Sequence, residues 1–125
     1  MGLIARLFGG GEQPGVGGQD AEHAVILSIR LGDEPPTEEE QQRMFDLEDE
    51  ISAAIESAGV GELDGDEWGS GSCTIFLYGP DADRLWDAIA PVLERHPFER
   101  GSSAVRRYGP PGAREDRVSL EWAGP

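Results

Sequence analysis

The sequence has no lysine: all ten of its basic residues are arginines. It has one cysteine, two histidines and no apolar run near the roughly 20 residues that a membrane-spanning helix needs. Each shortage removes a class of answer. The lone Cys73 excludes an intramolecular disulfide and a cysteine-based zinc site. Lying in an apolar stretch, it reads as a buried, inert thiol. His23 and His96 flank predicted elements, far from each other and from any serine or cysteine in a nucleophile context. His96 falls at a helix end, where an imidazole suits the dipole. The opening MGLIARLF is too short for a signal-peptide core with its cleavage site, and Arg6 breaks the myristoylation pattern. These absences lead to the expectation of a soluble, cytoplasmic protein. GGG at 9–11 and GSGS at 69–72 precede no helix with Lys and Ser/Thr, so neither is a phosphate loop. Arginine without lysine, beside 18 glycines, is the coding pattern of a GC-rich bacterial genome.

What the chain has in excess is acid. The net charge is −15, and residues 37–67, with twelve acids and only Arg43 as a base, carry −11 of it. Residues 81–125 hold eight acids and seven arginines and are nearly neutral. A field this negative excludes wrapping a nucleic-acid backbone, which needs a basic patch. It steers a basic partner or a cation instead.

At 125 residues the chain is read as one domain. GGGEQPGVGGQD over 9–20 marks residues 1–22 as a flexible or disordered arm, with Leu3, Ile4, Leu7 and Phe8 able to make one amphipathic turn. Residues 23–125 form the folded part. AVILSIRL, 24–31, alternates as a strand with Val25, Leu27, Ile29 and Leu31 on one face, which suits a sheet covered on one side. Thr37 and Glu40 make a capping box. A helix follows with Met44, Leu47, Ile51, Ala54, Ile55 and Ala58 inward; Asp46, Glu48, Asp49, Glu50 and Glu56 mostly point away. Gly59 ends it. A second strand over about 60–64, a turn within DGDEWGSGS and a third strand CTIFLY, 73–78, come next. Asp81 or Asp83 caps a second helix bearing Leu85, Ile89, Val92 and Leu93, with Pro91 expected to kink or shorten it. Strands over 104–108 and 117–122 close the chain, Val118, Leu120 and Trp122 sharing one face. The order β-α-β-β-α-β predicts an α+β ferredoxin-like sandwich: an antiparallel sheet, two helices on one face and an extra C-terminal strand.

The densest chemistry is the acidic segment. Glu62, Asp64, Asp66, Glu67 and Trp68 lie within seven residues, and they are the candidate binding residues. Strict alternation puts Glu62, Asp64 and Asp66 on one face and Glu67 on the other. Asp64, Asp66 and Gly69 match the first, third and sixth positions of a calcium loop, but its bidentate acid would fall at Ile75, and the match fails there. The plain reading is a solvated hairpin with Asp-Gly turn chemistry. Trp68 reads as an anchor for a protein contact. No catalytic residue and no cofactor are indicated. Arg100, Arg106 and Arg107 suit an anion, or pairing with the acids of the first helix or of a neighbouring molecule.

The segment GELDGDEWGSGSCTIFLYGPDADRLWDAIAPVL, with RRYGPPGAREDRVSL after it, resembles small bacterial proteins of the ferredoxin-like class. The shared pieces are Asp64–Gly69, Tyr78–Asp83 and Arg107–Gly112. They are turn and cap chemistry, so the resemblance implies the fold and carries no activity across.

The leading functional expectation is a non-enzymatic interaction domain for a basic protein partner. The alternative is a small-ligand or divalent-metal-binding domain, with simple hydrolytic activity as its extension. A homodimer through an exposed sheet edge, at residues 117–122 or the second strand, is the third expectation.

Overall fold

The computed structural model describes residues 22–32 and 34–120. All of the expected N-terminal arm except Glu22 lies outside the described residues, as does Trp122. The elements are β1 (His23–Arg30), α1 (Glu38–Ala58), β2 (Glu62–Gly69), β3 (Ser72–Gly79), α2 (Ala82–Glu94), β4 (Ser103–Arg107) and β5 (Glu115–Ser119). One antiparallel sheet has the order β2-β3-β1-β4-β5. The first four strands and both helices make the split βαβ of a ferredoxin-like fold, and β5 extends it past β4. β2 and β5 are the two edges.

Alternation builds the core. Val25, Leu27 and Ile29 of β1 and Cys73, Ile75 and Leu77 of β3 point to one face and are buried. Met44, Leu47, Ile51 and Ile55 of α1, with Leu85, Ile89 and Leu93 of α2, close over them. Ala58, expected inward, is exposed, because the last turn of α1 runs past this cluster. On the other face Ile26, Phe76 and Tyr78 are only half-buried.

Caps set the helix starts. The Thr37 hydroxyl accepts from the Glu40 N–H at 3.0 Å, and Glu40 Oε1 accepts from the Thr37 N–H at 2.9 Å. The second Glu40 oxygen takes the Gly32 N–H at 2.8 Å, tying the β1 exit to the helix. Asp81 caps α2 through the N–H groups of Asp83 and Arg84, and His23 Nδ1 accepts from the Ala82 N–H at 3.0 Å. α2 continues through Pro91 to Glu94 without being cut short. The β5 strand starts and stops earlier than the alternation suggested, at Glu115 and Ser119. The Tyr108 N–H donates to the Arg114 carbonyl at 2.9 Å, and the Arg114 guanidinium lies 4.3 Å over the Tyr108 ring, so the β4–β5 loop is held rather than loose.

β2 differs most from expectation. It runs straight through the acidic segment, and the turn is Ser70-Gly71, both at positive φ (52° and 76°). That pair suits a two-residue hairpin whose twist matches the strands. Asp64-Gly65 is not the turn. It sits at a register shift between Leu63 and Gly65, a β-bulge.

Candidate functional site

The bulge decides where the five candidate residues go. Directly opposed residues of an antiparallel pair share a face. Leu63 opposes the buried Leu77, Asp66 opposes Ile75 and Trp68 opposes Cys73, so Leu63, Asp66 and Trp68 face the helices. Glu62 opposes Tyr78 and Glu67 opposes Thr74, so both acids lie on the open face, where they are exposed. Asp64, inside the bulge, is 7% exposed. Strict alternation put Glu62 and Asp66 together; the extra residue separates them.

What Asp66 meets on the inner side is Glu48 of α1. Glu48 is four residues after the buried Met44 and three before the buried Ile51, at the edge of the inward stripe. It turns toward β2, correcting the expectation that it points away. Cys73, diagonal to Asp66 on β3, completes the group: one ligand-type atom from each of Glu48, Asp66 and Cys73 lies within 4.8 Å of the others. Burial, a hydrogen bond with Asp66 and the charges of Asp66 and Asp49 push the Glu48 carboxyl up to about 8. That hydrogen bond requires a proton between the two carboxyls, because two carboxylates only accept. Glu48 Oε2 is sealed from solvent, and no N–H or hydroxyl group donates to it. Burial first, then Asp66 and Glu48, pushes the Cys73 thiol up to about 12.

Beside this cluster the surface turns aromatic. Phe45, one turn before Glu48, is 46% exposed, and its ring meets Trp68 edge-on with centroids 5.9 Å apart and planes at 64°. Phe45 also lines an open hollow whose other residues are Glu38, Glu39, Gln41 and Gln42. Trp68 is half-buried rather than free-standing; Phe45 is the more exposed ring.

The remaining charge clusters have structural partners. Glu50 takes His96 Nε2 at 3.1 Å and Arg95 at 3.2 Å, joining α1 to the end of α2, and the His96 bond holds its carboxyl below the usual range. Arg106 pairs with Asp83 of α2 at 3.1 Å, not with the acids of α1, and Tyr108 Oη donates to the same carboxylate at 2.7 Å.

Phe45, Glu48 and Cys73 were not among the residues singled out from sequence as binding residues. The spacing of Glu48 from Met44 and Ile51, and the parity of Cys73 with Ile75 and Leu77, were the available signals. No protein-family model matches the chain, and no curated protein matches it. No helix of the described residues is long and apolar enough to cross a membrane.

Proposed function

We propose that the side of the molecule formed by α1 and β2 is a docking surface for a basic, amphipathic segment of another protein. The observation that carries this reading is Phe45, a ring left 46% exposed against Trp68 within a surface whose ionisable groups are nearly all acids. Residues 37–67 contain twelve acids and one arginine. An apolar side chain of the partner would pack on the aromatic pair, and flanking Arg or Lys side chains would meet Glu38, Glu39 and the β2 acids. Aromatic anchors with charged surroundings are the usual energetic centre of such contacts.

The charge of β2 also selects among edge partners. As an edge strand, β2 is a template for another strand. A second copy of β2 would set like charges opposite each other, which is unfavourable. A basic strand would set opposite charges there. The calcium-loop alternative is less favoured, because Asp64 and Asp66 stand on a strand at a bulge and not in a loop.

The test is affinity capture with the full chain as bait, beside Phe45→Ala and Glu38→Gln/Glu39→Gln baits, followed by titration of the purified captured protein. The reading expects a basic partner whose affinity falls with salt and falls at least about tenfold with Phe45→Ala. Binding indifferent to salt and to both sets of substitutions would end it.

A further inference from the structure

We propose that Glu48, Asp66 and Cys73 form a binding site for a thiophilic divalent metal ion of the zinc class. This lies beyond the docking surface: it uses different atoms, beneath the Phe45–Trp68 pair, and takes a different ligand. Three observations meet at one place. Carboxyls from two separate elements converge on a thiol, with one ligand-type atom of each within 4.8 Å of the others. Glu48 Oε2 is sealed from solvent and no N–H or hydroxyl group donates to it, although a buried carboxyl oxygen ordinarily has such a partner. Cys73 is 0% exposed, and its sulfur lies beside the two carboxyls.

A fold has little reason to hold two carboxyls together against a buried thiol. Burying an acid pair costs desolvation and repulsion unless something positive stands between them. A proton partly answers this in the metal-free chain. A divalent cation answers it fully, giving the buried Glu48 oxygen a cationic partner and converting the thiol to thiolate.

The donor set selects the metal. Calcium and magnesium take oxygen ligands and gain nothing from sulfur. One thiolate and two carboxylates suit zinc, cobalt(II) or cadmium, with the fourth tetrahedral position left to water. A site made of several cysteines stays excluded; a single thiolate with two carboxylates is a different set, and it gives Cys73 a role other than inert filling. Glu48 and Asp66 are only half-buried, so the ion has a way in along the seam between α1 and β2. Binding releases the carboxyl and thiol protons, so affinity rises with pH.

Cobalt(II) is the probe, because a thiolate ligand gives it a sulfur-to-metal charge-transfer band that carboxylates alone do not. The full chain is freed of metal and titrated with cobalt, then back-titrated with zinc. The proposal expects one equivalent bound, the charge-transfer band, displacement by zinc and no displacement by calcium or magnesium. Cys73→Ala should abolish the band. Glu48→Gln and Asp66→Asn, near in shape to the natural residues, should each weaken binding by at least about tenfold. Glu67→Gln, on the other face of the same strand, should change nothing, and Phe45→Ala should leave the band intact even where it abolishes docking. Circular dichroism confirms that each variant is folded. A folded wild-type chain without the band, or cobalt binding equally tight in Glu48→Gln and Asp66→Asn, overturns the proposal.

Discussion

Glu48 of α1 and Asp66 of β2 share a hydrogen bond across the seam between helix and edge strand, with Cys73 below them. The seam is where the acidic helix and the acidic strand meet, and its chemistry differs on its two levels. The inner level holds a proton in the metal-free chain. The outer level exposes an aromatic pair. Most testable consequences follow from keeping those levels apart.

The inner level makes stability depend on pH in an unusual direction. Burial and Asp66 raise Glu48 from its ordinary 4.5 to about 8 in the folded chain. Below about pH 4.5 folded and unfolded chains both hold that proton, and its stabilising contribution is fully present. Between about 4.5 and 8 only the folded chain holds it, so stability falls as pH rises through that window and levels off above it. Urea unfolding of the metal-free protein across this range should show the decline. Glu48→Gln, which keeps a donor toward Asp66 and cannot ionise, should flatten the profile and be the more stable chain at the alkaline end. A wild-type profile that rises through the window would contradict the assignment.

The outer level separates stability from binding. Phe45→Ala removes a ring already 46% exposed and should cost about 1 kcal/mol, mainly the edge-on contact with Trp68. Trp68→Ala empties a half-buried position beside Cys73 and should cost about 2–3 kcal/mol. Chemical denaturation gives both values. If Phe45→Ala proved the more destabilising, its ring would be serving the core rather than the surface.

The start of α1 depends on a reciprocal pair. Thr37→Ala removes the acceptor for the Glu40 N–H and leaves Glu40 to hold the Thr37 and Gly32 N–H groups alone. The expected loss is about 1 kcal/mol by denaturation. No measurable loss would mean that the helix start is fixed by packing.

Gly79 closes the other end of β3 by backbone contact. A Cβ there would fall inside contact distance of the Val60 carbonyl oxygen, which is backbone and cannot swing away. Gly79→Ala should therefore cost about 1–3 kcal/mol, read by denaturation, through displacement of the α1–β2 connection. A neutral effect would show that this crossing has slack.

Local chemistry made much of the fold readable in advance. Thr37 and Glu40, the αL Gly59, Asp81 and the alternation of Val25, Leu27 and Ile29 each act over a few residues, and the structure uses each as its spacing implies. The site was less legible, for two physical reasons. The bulge at Leu63/Gly65 is a single extra residue, and Asp-Gly marks a turn as readily as a bulge, so the faces of Glu62 and Asp66 could not be assigned. The inward stripe of α1 shows which side meets the sheet, but not whether its flank meets solvent or the edge strand. Phe45 and Glu48 lie on that flank, and only the lateral placement of α1 beside β2 gives them their neighbours.

The proposed role of the α1–β2 side is to receive a basic, amphipathic segment. The most direct measurement titrates an isotope-labelled full chain with a short peptide of arginines around a central leucine and follows amide and indole chemical shifts. The account predicts salt-sensitive shifts concentrated at Glu38, Phe45, Glu48 and the Trp68 indole, all lost in Phe45→Ala. Shifts centred instead on Phe76 and Tyr78 of the open sheet face, or none at low salt, would contradict it.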